Sequence, residues 1–233
     1  MKLLHTSDWH IGRSLFEFSL LEDQQEIFRQ IVSIIEREQV DAVLISGDLY
    51  DRSMPSAQAV SLLDEMFTTL ISRYHLPILA ISGNHDSARR VAYGSRLFEQ
   101  SGLYLVGGFS MQIKKVTLQD AFGPVNFFLL PYFIPQQVRI ALEDSSIRSA
   151  SEAFEKLIDQ NREQIDPNER NVLLAHGFFM RQSRSSSEKK EQPELPQCSG
   201  SETSVGTSDL TDLACCDGLF DYVALGHLHG AQS

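Results

Sequence analysis

The sequence lacks the features that mark a membrane or secreted protein. Its 233 residues contain no run of about 18 apolar residues, so no candidate membrane-spanning helix exists in the sequence. The richest apolar stretch, 125–135, is short and is interrupted by Pro131. At the N-terminus one lysine is followed almost at once by His5 and Asp8, which is unlike a signal peptide. We therefore expect no membrane partner.

Cysteine is scarce as well, since the chain has only Cys198, Cys215 and Cys216. An odd number with two adjacent positions argues against a disulfide framework and indicates a reducing, cytoplasmic compartment. Zinc binding by the adjacent pair would be an alternative, but a C-C dipeptide lacks the spacing of a zinc hairpin. Ordinary thiols are the favoured interpretation.

A basic surplus is also missing, because the formal net charge is -11. Domains that bind nucleic acid usually carry an excess of lysine and arginine. Net charge describes the average surface, however, and bound divalent cations would change the field locally. The acidic composition therefore leaves nucleic acid open as a substrate.

Strands that alternate with amphipathic helices run along the chain and predict an α/β domain with parallel sheet. In the first helix, Ile27, Ile31 and Ile35 recur at helical spacing. A hairpin-like pair in the second half indicates some antiparallel pairing. Predicted strands are 2–6, 42–46, 78–82, 103–106, 111–118, 125–130, 171–175 and 222–225; predicted helices are 22–39, 56–74 with Ser56 as N-cap, 136–142 and 151–164.

Segment 181–208 has a different composition from the rest of the chain. It holds eight serines, four basic and four acidic residues, and almost no large apolar side chains. Such a segment buries too little surface to offset its ordering entropy, which predicts a mobile loop. Because it begins five residues after His176, a lid beside a functional site is an alternative compatible with mobility.

Five apolar runs each end in a polar cluster, and these are 3–10, 43–51, 78–86, 171–177 and 222–229. Ligands of α/β sheets gather at the carboxyl ends of the strands, so residues far apart in sequence would converge on one rim. Gly47 and Gly83 stand directly before two candidate ligands, where the backbone must turn sharply and come close to a site.

The candidate ligands are carboxylates, an amide and imidazoles, with no sulfur among them. This set suits manganese, iron or zinc, and seven ligands are too many for one ion. A shared carboxylate would hold two ions about 3.5–4 Å apart, as in phosphate ester chemistry. Any one of these clusters, taken alone, would be an ordinary helix cap or turn. His5 and His75 stand outside the clusters and are interpreted as ordinary core or rim residues. The candidate metal ligands are Asp8, His10, Asp48, Asn84, His176, His227 and His229.

The order of these motifs resembles a known family. D-x-H, GD, GNHD, a single H and GHLH resemble the five-motif signature of calcineurin-like metallophosphoesterases. Within that superfamily, MKLLHTSDWHIGRSLF, GDLYDRSMPSAQAV, GNHDS and FDYVALGHLHGAQ are similar to SbcD-type nuclease subunits. The resemblance covers essentially the whole chain. It implies an α-β-β-α fold, in which mixed β-sheets are sandwiched between helices.

The same resemblance implies an activity, a cofactor and partners. The activity is exonuclease and endonuclease cleavage of DNA in repair, recombination and replication. The cofactor is a pair of Mn²⁺ ions, although other divalent metals are possible. The implied partners are DNA, an SbcC-type ATPase of the structural-maintenance class and a second copy of the chain. A phosphatase or cyclic-nucleotide phosphodiesterase is the alternative, since a fold does not fix its substrate.

The resemblance also implies roles residue by residue. One ion would be held by Asp8, His10, Asp48 and His229, and the other by Asp48, Asn84, His176 and His227, so that Asp48 bridges them. His85 resembles the family's catalytic histidine, which is not a ligand. Asp51 would orient His85 through a hydrogen bond or would only cap a loop. Arg89 and Arg90 would either contact DNA phosphates or form a solvated helix start. A scaffold without metal is disfavoured because every ligand position is filled.

Residues 1–233 are thus expected to form one metallophosphoesterase domain. Full-length relatives continue past GHLH with a DNA-capping domain and a segment that docks on the ATPase. We expect this sequence to lack both regions, which puts its binding of the ATPase in doubt.

Overall fold

The computed structural model describes residues 1–181 and 210–229. Apart from Arg181, the predicted mobile loop at 181–208 therefore lies outside the described residues, and so do the last four positions. Within the described part, no helix combines the length and the apolar character that a membrane crossing requires.

Within the described residues, the elements follow one another in the order that the sequence predicts, with four short strands and two short α-helices in addition. The strands are β1 (Leu3–Thr6), β2 (Ser14–Leu15), β3 (Phe18–Ser19), β4 (Ala42–Ser46), β5 (Ile78–Ile81), β6 (Leu103–Val106), β7 (Lys114–Asp120), β8 (Gly123–Leu130), β9 (Arg170–His176), β10 (Phe179–Met180), β11 (Thr211–Asp212) and β12 (Tyr222–Gly226). The α-helices are α1 (Leu21–Glu38), α2 (Ala57–Thr68), α3 (Ala88–Val91), α4 (Ser95–Phe98), α5 (Pro135–Leu142) and α6 (Ala150–Gln160).

Two four-stranded sheets form the centre of the domain. The first has the order β1-β4-β5-β6 and is parallel throughout. The second has the order β12-β9-β8-β7, in which β7 and β8 are antiparallel and the other pairs are parallel. Both predictions, parallel pairing in the first half and an antiparallel pair in the second, are confirmed.

Three layers of apolar side chains hold the sheets and helices together. The first sheet packs on α1 and α2 around Phe28, Met66 and Leu70. The two sheets pack face to face through residues such as Leu44 and Phe127. The second sheet packs on α5 and α6 through a cluster that includes Phe154 and Val138. The predicted α-β-β-α sandwich is confirmed, and each sheet is buried on both faces.

Helix boundaries agree with the local chemistry. Ser56 caps α2 as predicted, because its hydroxyl accepts a hydrogen bond from the amide of Ala59 at 3.2 Å. Regular α-helix ends at Thr68, and the rest of the predicted helix forms a π-helical turn, Thr69–Arg73. In α1 the buried residues are Phe28 and Ile35, whereas Ile27 is exposed. The prediction from helical spacing that Ile27 lies on the buried face together with Ile31 and Ile35 was therefore wrong.

Candidate metal centre

The candidate ligands lie on the rim where both sheets end. Beyond β1, β4 and β5 the chain places Asp8, Asp48 and Asn84, while His176 is the last residue of β9. β12 is in register with β9, which pairs Gly226 with His176, so the histidines after β12 reach the same rim. The sequence argument about converging strand ends therefore holds for both sheets.

One group of side chains forms the first half of the centre. The Nε2 atoms of His10 and His229 are 3.2 Å apart. His229 Nε2 lies 3.8 Å from Asp8 Oδ1, and His10 Nε2 lies 3.6 Å from Asp48 Oδ2. These are the four residues that the resemblance assigns to one ion.

A second group lies on the other side of Asp48. Asn84 Oδ1 is 3.0 Å from His176 Nε2 and 3.2 Å from His227 Nδ1. His176 Nε2 is in turn 3.4 Å from Asp48 Oδ2. One oxygen of Asp48 therefore lies within 3.6 Å of an imidazole nitrogen in each group. The geometry brings all seven candidate ligands together, while their roles as ligands remain a prediction.

Several features fit a divalent cation. His10, Asp48 and His176 are buried. His10 directs its Nε2 atom toward His229 and Asp48. Among the described residues, three overlapping sets of side chains each place nitrogen and oxygen atoms within 4.8 Å of one another, and these are Asp8–His10–His229, His10–Asp48–His85 and Asp8–Asp48–His176. Mixed imidazole and carboxylate donors suit transition metals.

The electrostatics favour the metal-binding protonation state at Asp48 and His10, whereas His176 would have to lose a proton when a metal binds. Burial opposes ionisation of Asp48, but the hydrogen bond and charge of His176 outweigh it, and together with the His85 amide and His10 they lower the Asp48 pKa to about 2. The pKa of His176 is raised, because Asp48 outweighs the opposing effect of burial. Burial lowers the pKa of His10. An ionised carboxylate and a neutral imidazole are the states that bind metals.

The backbone is held in an uncommon conformation at four candidate ligands. The φ angles are 55° at Asp8, 44° at His10, 50° at Asp48 and 107° at His227. Residues other than glycine rarely adopt positive φ, and such residues cluster at functional sites when the surrounding structure fixes them. Here, the amide of Asp8 donates to Gly47 O at 3.0 Å, and that of His10 to Asp48 O at 2.9 Å. The two loops thus support each other.

Glycines allow the ligand loops to approach this closely. A Cβ added at Gly47 would lie 2.2 Å from His176 Nδ1, and one at Gly83 would lie 2.1 Å from Asp48 Oδ1. Gly226, which the sequence analysis did not single out, would place a Cβ 2.0 Å from Ser46 O. All three contacts are too short for any other residue, so each of these glycines is required by the packing of the centre.

Gly83→Ala is expected to weaken metal binding and to lower the free energy of unfolding by about 1–3 kcal/mol, as overpacking does elsewhere. The new methyl group would displace the Asp48 carboxylate, which it would otherwise approach to 2.1 Å. Denaturant unfolding and elemental analysis measure both effects. Gly108→Ala is the matched control, since a Cβ there meets no atom within 4 Å. Equal behaviour of the two variants would contradict the steric argument.

His85 lies beside the centre and is held through its main chain and its ring. Its amide donates to Asp48 Oδ1 at 2.9 Å, and its ring meets the His10 ring edge-on at 4.8 Å between centroids. His85 Nδ1 is 3.0 Å from the carbonyl oxygen of Asp51. A carbonyl only accepts, so Nδ1 carries a proton and Nε2 is the atom available for chemistry.

The expected hydrogen bond between the Asp51 side chain and His85 is not the contact that the structure shows. The contact comes from the Asp51 carbonyl, while the carboxylate lies 3.8 Å from His10 Nδ1 and 3.5 Å from Arg52 Nε. The physical reason is the path of the chain after β4, which directs the carbonyl of residue 51 toward His85 and its side chain elsewhere. Any residue at position 51 would offer the same carbonyl.

Asp86, the last residue of the GNHD motif, has a role at the site that the sequence did not predict. Its carboxylate accepts hydrogen bonds from the amides of Leu49 at 3.0 Å, Tyr50 at 2.9 Å and Gly83 at 3.0 Å. Burial, opposed by these bonds, raises the Asp86 pKa to about 6. The carboxylate ties the loop that carries Asp48 to the next ligand loop. The spacing of residues in the sequence does not distinguish an aspartate that connects two loops in this way from an aspartate that only stabilises a turn.

Tyr132 also lies at the site, although the sequence did not indicate it. It follows β8, whose carboxyl end lies on the same rim, and its ring stands edge-on to that of His176 with 6.3 Å between centroids. The remaining candidates lie as the ordinary interpretation predicts: His5 Nδ1 is 2.8 Å from the Tyr222 hydroxyl, and His75 is exposed. Cys215 and Cys216 are free thiols, and among the described residues neither belongs to a group that could hold a metal.

Comparison with known proteins adds independent information. A family model described as calcineurin-like phosphoesterase matches residues 1–231. The chain is 36% identical over 229 residues to a protein of Staphylococcus epidermidis that is named as the SbcD component of the nuclease SbcCD, and 34% identical to the protein of the same name in Staphylococcus saprophyticus. Each match covers 98% of this chain but only 57% and 56% of the relatives. The chain thus spans little more than half the length of these relatives.

A solved structure, GAP50 from the inner membrane complex of Plasmodium, is similar over 79% of this chain and 57% of its own. Its identity is 14% and its TM-score 0.34, values too low to bear on the function of this chain.

Proposed function

Since the chain belongs to the calcineurin-like phosphoesterase family, we propose that it is the catalytic domain of an SbcD-type nuclease subunit and hydrolyses phosphodiester bonds of DNA. The observation that carries the proposal is the pair of ligand groups on either side of Asp48. Two groups that share one carboxylate are typical of two-metal phosphate ester chemistry. The names of the Staphylococcus relatives support DNA as the substrate.

We propose two Mn²⁺ ions as the cofactor. One set would comprise Asp8, His10, Asp48 and His229, and the other would comprise Asp48, Asn84, His176 and His227. The absence of sulfur and the presence of five imidazole and amide donors favour manganese over calcium or magnesium alone. Bound divalent ions would polarise the phosphate and make a water molecule more acidic.

The chain's own residues provide orientation and proton transfer. The His85 amide donates to Asp48 Oδ1, so Asp48 Oδ2 is left between the two ligand groups, near His10 and His176. The Asp51 carbonyl fixes the His85 ring. When protonated, His85 would donate a hydrogen bond or a proton from Nε2 to the leaving oxygen of the substrate. Asp86 keeps these loops in register.

The acidic net charge of -11 does not conflict with a DNA substrate. Arg52 adjoins Asp51 at the centre, and Arg89 and Arg90 follow His85 on α3; all three arginines are exposed. Side chains of this kind contact backbone phosphates. Strong binding of duplex DNA would need further basic surface, which we assign to the partner proteins and to the regions of the relatives that this chain does not span.

The proposal is tested by comparing substrates with the Mn²⁺-loaded chain. We expect hydrolysis of a single-stranded oligonucleotide and of bis(p-nitrophenyl) phosphate, and little hydrolysis of the monoester p-nitrophenyl phosphate. A preference for the monoester would favour the phosphatase, and a preference for a cyclic nucleotide would favour the cyclic-nucleotide phosphodiesterase. No activity with metal bound would favour a scaffold.

We further propose a cytoplasmic complex with an SbcC-type ATPase, because the relatives are named as one component of SbcCD. The chain spans little more than half the length of those relatives. Docking of the ATPase is therefore assigned to the full-length protein, and its test is co-purification of the ATPase with a longer chain.

A second copy of the chain is a further proposed partner, and an apolar patch offers the contact. Tyr93 and Leu97 are 81% and 73% exposed, and Val60 and Phe98 are 46% and 40% exposed. Val60, Tyr93 and Phe98 line one groove between α2 and α4. Contiguous exposed apolar surface of this kind marks interaction sites. We propose that two chains pair through it.

Leu97→Glu is expected to convert a dimer to a monomer, since a carboxylate would be desolvated at the contact. Sedimentation velocity measures the change. Ile140→Glu is the matched control, because Ile140 is 70% exposed on α5, away from the patch. If the unmodified chain is monomeric at high concentration, or if both variants behave alike, the patch is not the contact.

A further inference from the structure

A small hairpin next to the candidate centre carries exposed aromatic side chains that the fold does not use. It consists of β2 and β3, and we call residues 14–19 the aromatic hairpin. Phe16 is 86% exposed and Phe18 is 77% exposed, and Leu15, which pairs with Phe18, is 52% exposed. Large apolar groups exposed to this degree contribute little to the stability of the domain, and three of them together on one hairpin are typical of an interaction site.

The backbone of the hairpin supports the same view. The two turn residues, Phe16 and Glu17, both have positive φ, 47° and 70°. Turns of this geometry normally contain asparagine and glycine, whereas a bulky residue with positive φ is uncommon. A phenylalanine there is displayed at the tip at a conformational cost, and such outliers suggest a functional role.

The position of the hairpin relates it to the centre. Hairpin residues Ser14 and Ser19 line a groove of about 580 Å³ together with Ile11, Asp51 and Arg52. Ile11 directly follows His10, and Asp51 holds His85. The hairpin is therefore one wall of a groove that adjoins the candidate ligands. A polymer bound at the centre and running along this groove would pass beside the hairpin that carries the aromatic side chains.

We propose that the aromatic hairpin is a stacking platform for unpaired nucleobases next to the cleavage site. Stacking on aromatic rings is how proteins hold single strands without reading sequence, because every base has a π-face. The exposed Arg52, which lines the same groove, supplies a positive charge for the backbone of the strand, while the chain as a whole is strongly acidic. Aromatic stacking rather than a basic surface would then provide affinity for the strand. This inference rests on the proposed function.

The test measures binding without cleavage. Fluorescence anisotropy with metal-free protein compares a single-stranded oligonucleotide with an abasic strand of the same length and charge. We expect the unmodified chain to prefer the strand with bases, and the Phe16→Ala/Phe18→Ala double variant to lose this preference. The expected rise in Kd for the normal strand is about 10- to 100-fold, from one or two stacked bases. Binding of the abasic strand should be unchanged.

A matched control exists in the second sheet. Phe122 is 86% exposed at the tip of the β7–β8 hairpin. It lies at the amino end of β8, at the opposite end of the sheet from the candidate centre. Phe122→Ala removes an equally exposed ring and should leave both Kd values unchanged. Equal thermal unfolding of all three proteins would show that the folds are intact.

The outcomes separate the inference from the proposed function. Hydrolysis of bis(p-nitrophenyl) phosphate by the double variant at the unmodified rate supports the inference. Equal binding of the normal and the abasic strand by the unmodified chain overturns the inference. It is also overturned if the double variant loses affinity equally for blunt duplex and for single-stranded DNA, which would indicate a contact with duplex. Unchanged binding of every nucleic acid overturns it in favour of a protein partner. Failure of the unmodified chain to cleave any oligonucleotide would refute the nuclease assignment instead.

Discussion

Asp48→Asn is expected to reduce the bound metal from two ions per chain to less than one and to abolish hydrolysis. Among the candidate ligands, Asp48 is the one whose carboxylate lies between both groups, 3.6 Å from His10 Nε2 and 3.4 Å from His176 Nε2. Asparagine keeps the shape and an acceptor for the His85 amide, but it removes the charge that both ions would share. Elemental analysis after gel filtration measures the stoichiometry.

His10→Ala is the comparison that makes this result specific. His10 belongs to one group only, so its removal should leave about one ion bound in the other group. Both variants should remain folded, because ligand groups on the rim contribute less to the core than the residues between the sheets. If the Asp48 variant retains two ions, the shared role is refuted.

His85→Ala is expected to retain both ions and to lower turnover on DNA by a factor of about 10²–10⁴, the usual contribution of a positioned acid or base. Alanine preserves the main-chain amide that donates to Asp48, so the metal ligand keeps its orientation. Steady-state kinetics and metal analysis on the same preparation test both halves of the expectation.

The leaving group provides a finer test of this role. If His85 protonates the leaving oxygen, the His85→Ala variant should hydrolyse a p-nitrophenyl ester at a much less reduced rate than DNA, because nitrophenolate leaves without a proton. Asp51→Asn should turn over DNA at close to the unmodified rate, since its carbonyl still holds His85 Nδ1. Equal losses on both substrates would argue for a purely structural role of His85.

The fold was predictable because its signals are local and repeated. Buried strands such as Ala42–Ser46 are continuous apolar runs bounded by polar clusters, and the helices show a period of 3.6 residues. The rule that ligands collect at the carboxyl ends of strands then placed the seven candidate ligands on one rim from the sequence alone. The division of these ligands into two groups came from the family resemblance.

The details that escaped prediction depend on contacts across the fold. Asp86 gains its role from the amides of Leu49 and Tyr50, which belong to another loop. Whether position 51 acts through its side chain or its carbonyl depends on the path of the backbone after β4, which no side-chain pattern encodes. The aromatic hairpin escaped for a third reason. Its strands have two residues each, too few for any periodicity to show.

The distance along the chain between the two ends of the centre has a consequence for biosynthesis. His10 and His229 are 219 positions apart, yet their Nε2 atoms lie 3.2 Å from each other. A nascent chain therefore cannot assemble the proposed first ion site until β12 has been synthesised and has docked beside β9. Contacts between such distant positions form late and slowly during folding. Any activity that depends on this centre would thus arise only after the chain as far as His229 has been synthesised and folded.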